Sequence, residues 1–377
     1  MAVDDDGDVR GQIGEMNDSR SIGPVNRNSH LDLLRALAIG MVVAYHVLQM
    51  CPQPLPEIMR IAHYGQYGVD LFFVLSGWLI GGLYWNERVR FGGVQLGRFW
   101  LRRWLRTIPP YLAALALSWL AVFIQWRKPL DLGYLVFIQN YYEKIPYFLV
   151  SWSLCIEEHF YLLMPLLLLV FKVHGGRVVF VVFSLLVLLA PACRWALSLD
   201  GIDTAFGYEQ TATHLRMEGL LLGFWLAHEQ VNSPQRWGIL KRMSPWVLAV
   251  AAATLIALQF VAEVWMYRLG LTVLAVGLAA MLVLLVERKV GRFTTAHWVR
   301  AVAQASFSVY LTHPLMIHVA RKFMAMFQYI PWQGYFPVVF LLIVLAGAAF
   351  YFCVECTSIF LRDLWVPRRT FSTTELS

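Results

Sequence analysis

Apolar runs long enough to cross a bilayer constrain this chain more than any other feature. They fall at 32–51, 66–86, 108–126, 154–171, 178–198, 215–228, 244–263, 268–286, 301–320 and 334–357, and the sixth is short. A hydrocarbon core of about 30 Å takes about 20 mostly apolar residues of helix to span. Lipid offers no partners to backbone N–H and C=O groups, so runs of this kind cross as helices that satisfy their own. The expected fold is an all-α polytopic membrane protein with about ten transmembrane helices. Composition agrees, with 59% hydrophobic and 15% charged residues, where a soluble protein carries about a quarter charged.

The formal charge of +7 lies between the apolar runs, so membrane topology accounts for it and no nucleic-acid partner is expected. An even number of spans leaves both termini on one side. Placing them in the cytosol puts most of the 31 Lys and Arg in the tails and cytosolic connections. The most basic connection, between spans two and three, holds Arg88, Arg90, Arg98, Arg102, Arg103 and Arg106. Residues 1–30 read as a short disordered cytosolic tail, 31–360 as one membrane domain, and 361–377 as a second cytosolic tail. The longest outer loop, at 127–153, is aromatic and polar. There is no internal repeat and no low-complexity tract. The five cysteines form no disulfide framework, and the lone Cys353-x-x-Cys356 lacks a second ligand pair, so no metal site is expected.

Ionisable groups inside the spans carry the functional signal. Arg35 and His46 lie within the first apolar run, and a charge at a bilayer centre costs about 2.5–3.5 kcal/mol on insertion scales. Eleven residues are about three helical turns, so both share one face with roughly 16 Å between their backbones. One helix thus holds an anion near the cytosolic surface and puts an imidazole near mid-membrane. Alone, Arg35 also fits a snorkelling residue that fixes topology, and His46 a satisfied buried histidine. A neutral imidazole near pH 7 is suited to serve as a general base.

Four further stretches join this pair. In GVDLFFVLSGWLIGG, Asp70 sits near the outer start of span two, where it can orient an imidazole or simply favour the helix dipole. Ser76, Gly77, Gly81 and Gly82 there fit close helix packing. In FWLRRWLRTIPPY, Arg102, Arg103 and Arg106 recur at helical spacing, and Pro109 and Pro110 mark the start of span three. Guanidinium forks match phosphate oxygens, while positive-inside topology would be content with lysines. In SWSLCIEEHFYLLMP, Trp152 and Ser153 are candidate acceptor contacts. The adjacent Glu157 and Glu158 point about 100° apart on a helix, so one faces the site and the other packs or caps. The scattered Arg216, Glu218, Tyr310 and His313 complete a candidate acceptor site.

Together these stretches resemble the acyltransferase-3 family of integral membrane acyltransferases. LDLLRALAIGMVVAYHV, GVDLFFVLSGWLIGG, RRWLRTIPPY, SWSLCIEEHFYLLMP, THLRMEGLLLG, SFSVYLTHP and FCVECTSIF around Glu355 run in family order over nearly the whole chain. The resemblance implies an acyl-coenzyme A donor, usually acetyl-CoA, entering from the cytosol, and a carbohydrate or glycosylated acceptor. It carries Arg35 and His46 over as the spaced basic pair, Arg103 and Arg106 as the basic motif, and Glu157 and Glu158 as the acidic motif. Glu218 stands where an aspartate is common. Some relatives add an extracellular esterase-like domain; none follows here, so this chain is expected to complete transfer by itself.

The expected mechanism places coenzyme A phosphates on Arg102, Arg103 and Arg106, with Arg35 at the mouth. His46 deprotonates an acceptor hydroxyl that attacks the thioester, and Asp70 or Glu158 orients the imidazole. An acyl-histidine intermediate is an open variant. The alternative is a transporter using Arg35, His46, Asp70 and His313 as a proton or substrate path. The expected location is the bacterial cytoplasmic membrane.

Overall fold

The computed structural model describes residues 28–50, 61–171, 176–197, 208–261, 263–288, 296–326, 332–367 and 369. Among them there is no strand. The main helices are α1 (Ser29–Leu48), α2 (Gly68–Phe91), α3 (Leu96–Trp126), α4 (Ser151–Val170), α5 (Gly176–Ala196), α6 (Glu218–Asn232), α7 (Pro234–Leu258), α8 (Leu271–Val286), α9 (His297–Met326), α10 (Trp332–Phe350) and α11 (Cys356–Trp365). One π-helical turn, Met266–Gly270, leads into α8, and another, Tyr351–Glu355, joins α10 to α11.

Among the described residues, eight helices are long and apolar enough to cross a membrane. The two expected spans outside that set differ for physical reasons. The sixth, α6, has 15 residues, about 22 Å of helix, which is short of the hydrocarbon thickness. Two one-turn helices, Tyr208–Thr211 and Thr213–Arg216, precede it. The ninth, α9, has the length but carries Ser306, Ser308, Thr312 and His313 in its buried middle.

Three expected boundaries move. Most of the expected N-terminal tail, residues 1–27, lies outside the described residues, but Asn28 caps α1 by accepting from the His30 amide, so the helix begins at Ser29. At the other end α11 runs to Trp365, into the segment read as a tail; beyond Pro367 only Arg369 is described. Pro109 and Pro110 lie inside α3 rather than at its start. The basic RRWLR segment is therefore part of the same 31-residue helix, held beyond the prolines by Tyr111, whose hydroxyl donates to the Tyr134 carbonyl at 2.8 Å.

The core is organised on α6, where Leu220, Leu221 and Phe224 are wholly buried. It lies against α2 backbone to backbone. A Cβ on Gly77 would meet the Leu220 carbonyl oxygen at 2.1 Å, and one on Gly223 the Val74 oxygen at 2.1 Å. Small residues buy this close approach in membranes, where packing replaces the hydrophobic drive between helices. Gly81 is similarly tight against Phe224, whereas Gly82 faces open space.

Both ends of the described chain lie on one face. Asn28 donates to the Val286 carbonyl at 2.7 Å, and the His30 ring contacts the Arg288 carbonyl at 3.1 Å. Arg102 pairs with Asp363 at 2.8 Å, and Arg98 and Arg102 donate to the carbonyls of Pro367 and Val366. We call this the inner face. The segment 127–150 and the turns at 208–216 lie on the opposite, outer one.

Candidate active site

The centre of the site is a pair of histidines from α1 and α9. His46 and His313 bring their ring centroids to 4.9 Å with the planes 55° apart. The His46 Nδ1 bonds the Val42 carbonyl one turn back at 2.9 Å, and the His313 Nδ1 bonds the Tyr310 carbonyl at 2.8 Å. A carbonyl only accepts, so each Nδ1 carries the hydrogen and each neutral ring presents a lone pair at Nε2. His313 is wholly buried and its Nε2 has no partner among the described residues. His46 stands in the last turn of α1. The helix starts at Ser29 and stops at Leu48, which carries His46 toward the outer face.

His46 lines a pocket with Tyr45, Asp70, Trp152, Arg216 and Tyr310. Asp70, expected to orient the imidazole, instead holds Arg216 at 2.9 Å. Arg216 also donates to the Gln210 carbonyl at 3.3 Å and lies over the Trp152 ring, 5.1 Å from its centroid. The reason is partner strength: a guanidinium outcompetes a neutral imidazole for a buried carboxylate. The Ser153 and Tyr310 hydroxyls lie 2.6 Å apart and both within hydrogen-bond distance of the Val150 carbonyl, so one donates to the carbonyl and the other to its fellow hydroxyl or to the same carbonyl. They pin α4 to α9 beside the histidines. Glu218 does not reach this pocket. It pairs with Arg194 at 2.7 Å and accepts from Thr272 at 3.0 Å.

A second polar layer lies toward the inner face. Glu157 accepts from Ser76 at 3.2 Å and from the Tyr161 hydroxyl, and meets Arg103 at 3.4 Å. Arg103 also donates to the Tyr161 hydroxyl at 2.5 Å and stacks over that ring at 4.0 Å. Glu158 accepts from Thr107 at 2.9 Å. Both acids therefore face α3, one turn apart along it, and neither touches His46, which corrects the role expected for Glu158. The expected phosphate cradle is corrected too. Arg103 is spent on Glu157 and Tyr161, and Arg102 on Asp363 and the Val366 carbonyl. Arg106 makes no hydrogen bond or ion pair among the described residues; Arg35, Arg103, Glu355 and Arg362 surround it electrostatically.

Sequence reasoning gave no site role to three of these groups. Glu355 is wholly buried on the π-helical turn, accepts from Ser308 at 2.6 Å and leaves its other oxygen unpartnered among the described residues. The rule that singled out Arg35, a charge inside an apolar run, would have found it. Arg194 and Arg362 gave no signal beyond their positions near span ends. On the outer face, Tyr141, Tyr208 and His214 cluster, with Tyr141 and His214 rings 6.0 Å apart. Burial there pushes the His214 imidazole below its ordinary pKa.

Residues 28–352 match the family described as Acyltransferase domain. The chain belongs to that acyltransferase family. It is 28% identical over 343 residues to the peptidoglycan O-acetyltransferase OatA of Listeria monocytogenes, covering 82% of this chain and 52% of that protein. It is 26% identical over 335 residues to O-acetyltransferase OatA of Staphylococcus aureus, again covering 82% and 52%. A putative O-acetyltransferase of Staphylococcus aureus strain COL is 24% identical over 350 residues, covering 85% and 56%. The chain thus spans about half the length of the curated relatives it matches. No solved structure matches it.

Proposed function

We propose that this chain is a membrane O-acetyltransferase. It takes an acetyl group from acetyl-coenzyme A at the inner face and transfers it to a hydroxyl of a surface glycan, such as peptidoglycan, at the outer pocket. The observation that carries the reading is His46, whose Nδ1–H is fixed to the Val42 carbonyl while the ring lines the pocket. Its Nε2 is the general base: it removes the acceptor proton as the acceptor oxygen attacks the thioester carbonyl. Arg106 and Arg35, which act on one another electrostatically, receive the donor phosphates. Repulsion between like charges in a low-dielectric setting is relieved by an anion. Trp152, held under the Arg216 guanidinium, and Asp70 shape the acceptor side. Membership of the family favours transfer chemistry over transport. With the arginine-rich connections on the cytosolic side, the chain sits in the bacterial cytoplasmic membrane with both termini inside.

The test is transfer of label from [acetyl-labelled] acetyl-coenzyme A into the glycan of membranes that contain the chain. Loss of a general base costs about 10²–10⁴ in rate, so His46→Ala is expected to cut incorporation at least about a hundredfold with the protein still folded. Equal labelling by both proteins removes His46 from the chemistry.

A further inference from the structure

We propose that His313 is the proton partner of His46, a positioning residue through which the base holds the proton it takes from the acceptor. The inference rests on the acetyl-transfer reading above. Once His46 is protonated it needs a counterpart, and the carboxylate expected there already pairs with a guanidinium. Asp70 gives Oδ1 to Arg216 and leaves Oδ2 without a partner among the described residues, Glu157 is held by Arg103, Tyr161 and Ser76, and Glu158 gives Oε1 to Thr107. The His46 Nδ1 is tied to a backbone carbonyl, which carries no charge. The other groups that bear on it are Tyr45 at its side and Arg321 from α9, a cation that opposes a second positive charge.

His313 is the ring neighbour of His46 and has an unused lone pair. Its Nδ1–H is satisfied by its own helix, its Nε2 is buried without a partner among the described residues, and its ring lies 4.9 Å from that of His46. A buried acceptor left unpaired is costly, so packing alone does not account for an imidazole here. A proton shared between the two Nε2 atoms supplies the missing bond at the moment it is needed. The step balances within the pair. The acceptor O–H bond breaks and its proton passes to His46 Nε2, where His313 Nε2 shares it. The acceptor oxygen bonds the carbonyl carbon, the C–S bond breaks, and the departing sulfur takes the proton back. Both imidazoles end neutral.

The experiment measures rate per enzyme and donor KM in membrane vesicles of the expressing bacterium, with labelled acetyl-coenzyme A, for the full chain and its variants. His313→Asn keeps a donor for the Tyr310 carbonyl and lacks the Nε2 lone pair. It is expected to fold, to lose about tenfold or more in turnover, and to hold the donor KM within about threefold. His313→Ala is expected to regain turnover with added imidazole but not with pyrrole, a ring of the same size without a basic nitrogen. Wild-type turnover in His313→Asn, or equal rescue by pyrrole, overturns the proposal and leaves a packing role. Absence of transfer by the wild type overturns the acetyl-transfer reading itself, and the proposal with it.

Discussion

Two arginines inside the helical domain, Arg194 and Arg106, have opposite surroundings. Arg194 is wholly buried, pairs with Glu218 at 2.7 Å, and donates to the Leu215 carbonyl and to Thr272. Arg106 is half-buried, has no such partner among the described residues, and is ringed by Arg35, Arg103 and Arg362 with only Glu355 against them. The first guanidinium is complete and ties α5 to α6 and α8. The second is a cation whose environment is short of negative charge. That difference separates a strut from a binding group better than depth or residue type does.

Breaking the strut is expected to have the largest effect. Arg194→Leu leaves Glu218 buried and unpaired, and removing one partner of a buried ion pair costs about 3–5 kcal/mol. Thermal unfolding of the detergent-purified protein is expected to show a large fall in Tm, or no folded protein. An unchanged Tm would erase the contrast.

Arg106→Gln is expected to do the reverse. Removing one of four like charges leaves Tm unchanged or higher. If the side chain contacts donor phosphate, the acetyl-coenzyme A KM rises about tenfold, a loss of about 1.4 kcal/mol, with kcat little changed. A fall in Tm without a change in KM would make Arg106 a second strut.

The smallest effect sharpens the comparison at the protein surface, where Lys241 and Trp237 meet Glu287 at 2.7 and 2.5 Å. Burial alone would raise that carboxyl, but the hydrogen bonds from Lys241 and Trp237 hold it below the usual carboxylate range. Because the folded carboxyl titrates below its unfolded value, the pair stabilises the fold above the unfolded pKa, and the contribution is lost as pH falls through the folded one. An exposed pair contributes at most about 1 kcal/mol. Glu287→Gln is therefore expected to lower Tm slightly at neutral pH and to converge with wild type in acid, as unfolding scans at several pH values will show.

The helical class and most of the spans were legible because hydrocarbon dictates both. A run of apolar residues has one way to satisfy its backbone in lipid, and that requirement is local. Arg35, His46, Asp70 and His313 were legible as well, since a polar group in such a run is costly enough to need a reason. Partner choice was not. Asp70 was matched to His46 because the two lie near the same end of neighbouring helices, yet Arg216, 146 residues away, offers a stronger charge-assisted bond. Arg102 and Arg103 looked equivalent to Arg106 because helical spacing alone does not say which neighbour each will meet.

By itself the sequence determined that this chain is a bundle of membrane helices with ionisable groups inside it, because hydropathy and the cost of buried charge act along the chain. Only the tertiary structure decided which of those groups are satisfied. Pairing energies depend on distances between helices, and these are set by packing such as the contact of Gly77 with Leu220. That packing spends Arg103 and Arg194 on carboxylates, leaves Arg106 among its own kind, and sets His46 beside His313.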